Sequence, residues 1–290
     1  MSIENAKKQL TIFLRDPSPS VLAMRGGWGT GKTYCWNKFL EIEKGNINFD
    51  NYSYITLFGA KSIEQIKFNI CSSSLEKTHI GENLSLSEIL GVSGFDYRDW
   101  RSLHNLRKLK KIGTRGLSTY AKYSGDKNNT LITDLTFNYL ESTLICIDDF
   151  DRKGKELNAK EVLGMISFLK EHRDCKILLI YNEGNLDETE KEDYKELREK
   201  VIDYEIQFCP TSDEVLEIVF NGNSDNDKAL KLLLEKHIRK LGIKNIRILE
   251  KIKGYSAKLK IALGENYGPE LINQAFSTAV LLNWSFYSGK

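Results

Sequence analysis

No two of the five cysteines stand close together in this sequence, and no CxxC pair exists. With only four histidines in 290 residues, neither a disulfide framework nor a cysteine–histidine zinc site has the residues it needs. Three of the thiols lie in or beside apolar runs, where cysteine acts as a small hydrophobe, and the pattern fits a reducing, cytoplasmic compartment. A surplus of one charge is also missing. Forty-two Lys and Arg against forty Asp and Glu leave +2, so attraction to nucleic acid or membrane must come from a local patch or not at all. Long apolar runs are absent too: none reaches the roughly 18 residues a bilayer span requires. The longest, Ala275 to Tyr287, is interrupted by Ser277, Thr278, Asn283 and Ser285. Met1 to Lys8 lacks the basic start and apolar stretch of a signal peptide, and a soluble protein without a membrane span is expected. There is no guanine-reading Asn-Lys-x-Asp or Thr-Lys-x-Asp. Asn37-Lys38-Phe39-Leu40 lacks the acid, which weakens a GTP reading.

What is present is ordinary globular composition, 41% hydrophobic and 28% charged, in a chain long enough for one large domain plus a smaller one. Val21 to Met24 is apolar and leads into a glycine cluster, after which Tyr34, Trp36, Phe39 and Leu40 recur at helical spacing. Tyr52 to Phe58 alternates and is rich in aromatic and β-branched residues. Thr143 to Ile147 and Lys176 to Tyr181 are short apolar runs ending at Asp148 and Asn182, and Tyr204 to Phe208 is closed by Pro210. Five strands with helical stretches between them predict an α/β fold built on a parallel sheet. Thr211-Ser212-Asp213 then signals a helix start, and helical periodicity follows over Ala229 to Leu241 and Ile246 to Ile261. The expected organisation is a core over residues 1–210 and a helical lid over 211–290. A mainly helical insertion, about residues 60–142, interrupts the core and offers no defensible strand.

Gly26, Gly31, Lys32 and Thr33 satisfy the pattern G-x-x-x-x-G-K-[ST] between a strand and a helix. The stretch Gly26-Gly27-Trp28-Gly29-Thr30-Gly31-Lys32-Thr33, with Tyr34 beyond it, is therefore the expected ATP-binding segment. Glycines let the backbone curl so that successive N–H groups face a phosphate, and the following helix adds its positive N-terminal end. Lys32 offsets phosphate charge, and the Thr33 hydroxyl is an expected Mg2+ ligand. Asp148 and Asp149 lie at the C-terminal end of an apolar strand, the edge where parallel sheets bind ligands. Asp148 is expected to hold Mg2+, and Asp149 to orient and deprotonate the attacking water. Asn182, ending the next strand, is the expected contact to the γ-phosphate and that water. Asn245-Ile246-Arg247 resembles the second sensor of AAA+-type lids, with Arg247 reaching the phosphates. Arg152 and Arg173 are read either as arginine fingers across a subunit boundary or as members of structural ion pairs.

Trp28 inside the glycine loop, and the run Ile147-Asp148-Asp149-Phe150-Asp151-Arg152, are similar to the KAP group of P-loop ATPases. Tyr54-Ile55-Thr56-Leu57-Phe58-Gly59 and Tyr181-Asn182-Glu183 also resemble its segments, and the likeness covers roughly residues 8 to 260. It implies an ASCE-type sheet of strand order 5-1-4-3-2 and ATP rather than GTP, and bacterial members of the group are implicated in phage exclusion and similar conflict systems. The first functional expectation is an ATP-hydrolysing molecular switch in a conflict or regulatory system. Some relatives carry transmembrane helices where this chain has the insertion Ala60 to Ser142, which contains none. The lid and the apolar helix Gln274 to Tyr287 are candidate surfaces for a protein partner or self-association. A binding module that holds ATP without turnover is the alternative from another class, and the second acid argues against it.

Arg98, Arg101, Arg107, Lys108, Lys110, Lys111 and Arg115 share a window with one acid, Asp99, and with interleaved aromatics. Such a mixture suits phosphate contact and base stacking, and so a nucleic-acid-stimulated ATPase. Trp100, Leu103, Leu106 and Leu109 also fit an amphipathic helix with a solvated basic face. If the window grips single strands, labelled-strand anisotropy should show sequence-tolerant binding that falls steeply as salt rises. Joint replacement of Arg107, Lys108, Lys110 and Lys111 by Ser should remove that binding, and no binding at low salt leaves the helix-face reading.

Overall fold

The computed structural model of the chain describes residues 1–81, 137–138, 140–186, 188–221, 225–264 and 267–288. The basic stretch 98–115 lies outside the described residues. Two compact units emerge, one of Lys8–Arg25 and Trp36–Ile206, the other of Met1–Lys7, Gly26–Cys35 and Gln207–Lys290.

The first unit is built on a six-stranded sheet: β1 (Val21–Arg25), β2 (Asn51–Thr56), β3 (Leu75–Glu76), β4 (Thr143–Asp148), β5 (Lys176–Tyr181) and β6 (Tyr204–Gln207). Its order is β3-β2-β4-β5-β1-β6, with β1 parallel to β5, β5 to β4 and β4 to β2. Set aside β3, and the order read from β6 is the 5-1-4-3-2 expected of an ASCE sheet. The two-residue β3 pairs antiparallel with β2 and falls where the sequence offers no strand. Two residues carry no periodicity, so only the pairing partner defines them.

Every residue of β4 and of β5 is buried, which explains why both read as unbroken apolar runs. Helices α3 (Ile63–Ser73) and α4 (Ala159–Arg173) contribute Ile66, Ile70, Val162, Leu163, Ile166 and Leu169 to one continuous core with these strands. A capping box at Asn158 and Glu161 starts α4. Lys176 opens β5 inside the protein. Its Nζ donates to the carbonyls of Phe13 (2.7 Å) and Asp16 (2.6 Å), so a buried ammonium satisfies the end of α1 (Ile3–Arg15). Burial lowers its pKa to about 8, against the opposing pull of Asp16 and Asp203.

Past β6 the described residues are helical: α6 (Ser212–Val219), α7 (Asp225–Leu241), α8 (Ile246–Leu263) and α9 (Pro269–Ser288), with α5 (Glu188–Val201) preceding β6. The start predicted at Thr211 is a capping box, Thr211 Oγ1 accepting from the Glu214 N–H while Glu214 accepts from that of Thr211. Leu216, Leu230, Leu234, Ile238, Leu249 and Ile252 form the core of this unit. Among the described residues, no helix is long and apolar enough to cross a membrane.

Cys35, Cys71, Cys146 and Cys175 are buried, and Cys209 is exposed. Burial pushes the thiols of Cys71 and Cys175 up to about 12. The native protein should therefore titrate one fast thiol with a chromogenic disulfide, and all five only in denaturant. Two or more fast native thiols would contradict this packing.

Candidate phosphate-binding site

Gly26 follows directly from β1, whose last residue is braced: Arg25 pairs with Glu183 (2.6 Å) and Glu205 (3.9 Å). The loop itself demands its glycines. Gly29 and Gly31 have φ of 72° and 92°, left-handed values that a side chain disfavours. Space is short as well, against backbone at Gly26 and against side-chain ends at Gly29 and Gly31. A Cβ at Gly26 would lie 2.4 Å from the Phe208 carbonyl oxygen, one at Gly29 2.2 Å from Asn245 Oδ1, and one at Gly31 2.4 Å from Ile246 Cδ1. Gly27 differs, since a Cβ there meets only Thr30 Cγ2, at 3.4 Å.

Within the curl, the Thr30 hydroxyl donates to the Gly27 carbonyl (2.8 Å), and Lys32 Nζ donates to the carbonyls of Gly26 (2.7 Å) and Gly27 (3.0 Å). Lys32 is nearly buried, so its ammonium is held at the mouth of the loop rather than in bulk water. Thr33 is half-buried in the first turn of α2 (Lys32–Glu43), and Trp28 and Tyr34 are exposed. Arg247 comes to this loop, its guanidinium 5.1 Å from the Trp28 ring.

In the sheet unit, Asp148 is 4% exposed at the end of β4. Its carboxylate accepts from the Tyr54 hydroxyl (2.9 Å) and from the Asp149 N–H (2.7 Å). Burial, then the charge of Asp148, holds the Tyr54 phenol well above its ordinary range, so it stays a donor. Asp149 has φ 55° and ψ 39°, a left-handed conformation uncommon outside glycine. Its Oδ2 accepts from the Thr56 hydroxyl (3.0 Å), which itself accepts from the Phe58 N–H (3.2 Å). A carboxylate only accepts, so the Thr56 proton points at Asp149. Arg152 lies 3.8 Å from Asp149 Oδ1 and 4.1 Å over the Phe58 ring. Asp151 reaches the next strand, accepting from the Asn182 N–H (2.8 Å) and from Asn185 Nδ2 (2.9 Å). Asn182 Oδ1 accepts from the Gly184 N–H (3.2 Å), turning the chain as β5 ends.

The model of the KAP family P-loop domain matches residues 4–254. The chain belongs to the KAP family. No curated protein matches. Solved structures similar to this KAP chain include the Aeropyrum pernix ORC2 protein in ADPNP–ADP complexes, 13% identical with a TM-score of 0.52, matching 94% of this chain and 67% of that one. The Drosophila ORC bound to DNA is 14% identical over 94% of this chain and 58% of the other, with a TM-score of 0.48. Cdc6p of Pyrobaculum aerophilum is 16% identical over 90% and 62%, with a TM-score of 0.44. This chain thus spans less than two thirds of the Drosophila and Pyrobaculum chains, and the likeness to the Aeropyrum protein, at 13% identity, is one of fold.

Sequence pattern alone does not single out Tyr54, Thr56 or Asp151 in the KAP chain. Residues 54 and 56 share a strand face, and two hydroxyls at period two beside an acidic strand end are the available signal. Arg173 donates to Asn138 Oδ1 (3.0 Å) and lies over Phe168, so both arginines weighed as fingers make contacts within the chain.

The two kinds of glycine should separate on substitution. Gly29→Ala meets both a left-handed backbone and the Asn245 amide and should cost about 2–3 kcal/mol in thermal or urea unfolding. Gly27→Ala should stay within about 0.5 kcal/mol of wild type. Equal effects of the two would contradict the loop geometry.

Proposed function

We propose that this KAP chain binds Mg-ATP at Gly26–Tyr34 and hydrolyses it as a molecular switch, in a setting such as bacterial anti-phage defence. The observation that carries hydrolysis beyond binding is Asp149. A non-glycine residue in a left-handed conformation costs free energy, and here it sets a second carboxylate beside Asp148 with a hydroxyl bonded to it. A module that only holds nucleotide has no use for that arrangement. The absence of a guanine-reading motif supports ATP.

The donor set suits the ligands. Glycines whose Cβ positions are filled by neighbouring atoms leave backbone free to face phosphate, and Lys32 brings a charge already withdrawn from water. For Mg2+, the Thr33 hydroxyl and Asp148 are hard oxygen donors, and a nucleotide-bound magnesium needs only one or two of these from the protein. Among the described residues, no cluster of three or more His, Cys, Asp or Glu offers a separate metal site. Bound Mg2+ would offset charge on the phosphates. The protein's own part is positional: Lys32 and the loop N–H groups hold the phosphates, Tyr54 fixes the Asp148 carboxylate, and Asp149 takes the proton of the attacking water. Asn182 would orient that water, and Arg247 would meet the γ-phosphate from the lid. In this reading residues 1–210 form the core and 211–290 the lid, which moves with nucleotide state and presents a surface to a protein partner in the cytoplasm.

A steady-state ATPase assay, with and without DNA or RNA, tests this reading. Asp149→Asn should keep Mg-ATP binding while turnover falls about 10²–10⁴-fold. Lys32→Ala should lose most nucleotide affinity. Wild-type ATP affinity in Lys32→Ala would exclude the site, and parallel loss of binding and turnover in Asp149→Asn would make it a metal ligand or a structural residue. Stimulation by nucleic acid would favour the basic-insertion reading.

A further inference from the structure

We infer that Asn245 is a positioning residue for the phosphate loop, an inference that rests on the nucleotide site proposed above. Asn245 caps α8: its backbone is extended (φ −96°, ψ 112°) and its Oδ1 accepts from the Ile248 N–H at 3.2 Å. Using the oxygen as a cap turns the amide nitrogen away from the helix. That nitrogen donates to the Trp28 carbonyl at 3.0 Å. Exchanging the two amide atoms would set a donor against a donor and an acceptor against an acceptor, so the contacts themselves fix the orientation.

The next residue repeats the contact through its backbone. Ile246 is the first residue of α8, and its N–H belongs to the group that no helix can satisfy internally. It donates to the Gly29 carbonyl at 2.8 Å. Two successive carbonyls of the loop, those of Trp28 and Gly29, are thus clasped by the start of one helix. A trans peptide points its C=O and N–H in opposite directions. Clasping these two carbonyls therefore turns the N–H groups of Gly29 and Thr30 away from α8, presenting them as phosphate donors. Gly29 completes the fit, since a Cβ there would occupy the space of the Asn245 amide. Arg247, the residue after Ile246, has its guanidinium 5.1 Å from the ring of Trp28 in the same segment.

Asp and Ser cap helices about as well as Asn, but neither brings an amide N–H to the Trp28 carbonyl. Asn245→Asp and Asn245→Ser therefore separate the cap from the clasp. The full chain and both variants would be titrated with a fluorescent ATP analogue in Mg2+ and melted in parallel. The expected result is a melting temperature near wild type with roughly five- to tenfold weaker binding, about what loss of one hydrogen bond produces. The loss should be larger for Asp, whose carboxylate faces the carbonyl. Wild-type affinity in both variants would make Asn245 a cap and nothing more. Failure of both variants to fold would overturn the inference equally, because cap-competent side chains would then not substitute. If the wild-type chain itself bound no nucleotide, the proposed function would fall first, and the two failures are told apart by that control.

Discussion

The space around the glycine loop is the constraint on which the rest of this molecule depends. At Gly26, Gly29 and Gly31 the hydrogen atom that stands for a side chain faces, respectively, the Phe208 carbonyl, the Asn245 amide and the Ile246 methyl. Chain from beyond residue 200, backbone at Phe208 and side chains at Asn245 and Ile246, is thereby packed on a loop near residue 30. Local flexibility alone would ask for glycine at 29 and 31 only, where φ is positive. The third is required by proximity, since Gly26 takes a conformation that other residues adopt but has no room for a Cβ.

A comparable division of labour marks the acidic strand. Two adjacent carboxylates repel more strongly once water is withdrawn, and each has its own hydroxyl donor from β2, Tyr54 for Asp148 and Thr56 for Asp149. These hydrogen bonds fix the rotamer of each carboxylate, the preorganisation that the roles proposed for Asp148 and Asp149 would need. Asp151 ties the same turn to the start of the Asn182 turn, so the three polar strand ends of this unit form one hydrogen-bonded edge.

Much of this was legible in the chain. Strands β4 and β5 read clearly because burial on both faces demands unbroken apolar residues, and α6 read from its cap because Thr211 and Glu214 sit at the spacing that satisfies helix ends. The glycine loop was legible because the P-loop pattern has fixed spacing. What sequence does not display is pairing at a distance. The Asn245–Trp28 contact joins residues 217 positions apart, and the Tyr54–Asp148 contact joins residues 94 apart. Neither Asn at a helix start nor Tyr in a strand is unusual by itself, and only the period-two hydroxyls of Tyr54 and Thr56 hint at a second role. Asn182, expected to serve chemistry, is a turn-forming residue here, since a short amide at a strand end is suited to either use.

The central claim is that the loop is a nucleotide cradle preformed by its own glycines and by the start of α8. An experimental structure with a non-hydrolysable ATP analogue and Mg2+ tests it most directly. The account predicts that Lys32 Nζ exchanges the Gly26 and Gly27 carbonyls for phosphate oxygens, while the bonds from Asn245 and Ile246 to the loop persist. Nucleotide bound elsewhere, or bound at the loop only with those two bonds broken, would contradict it.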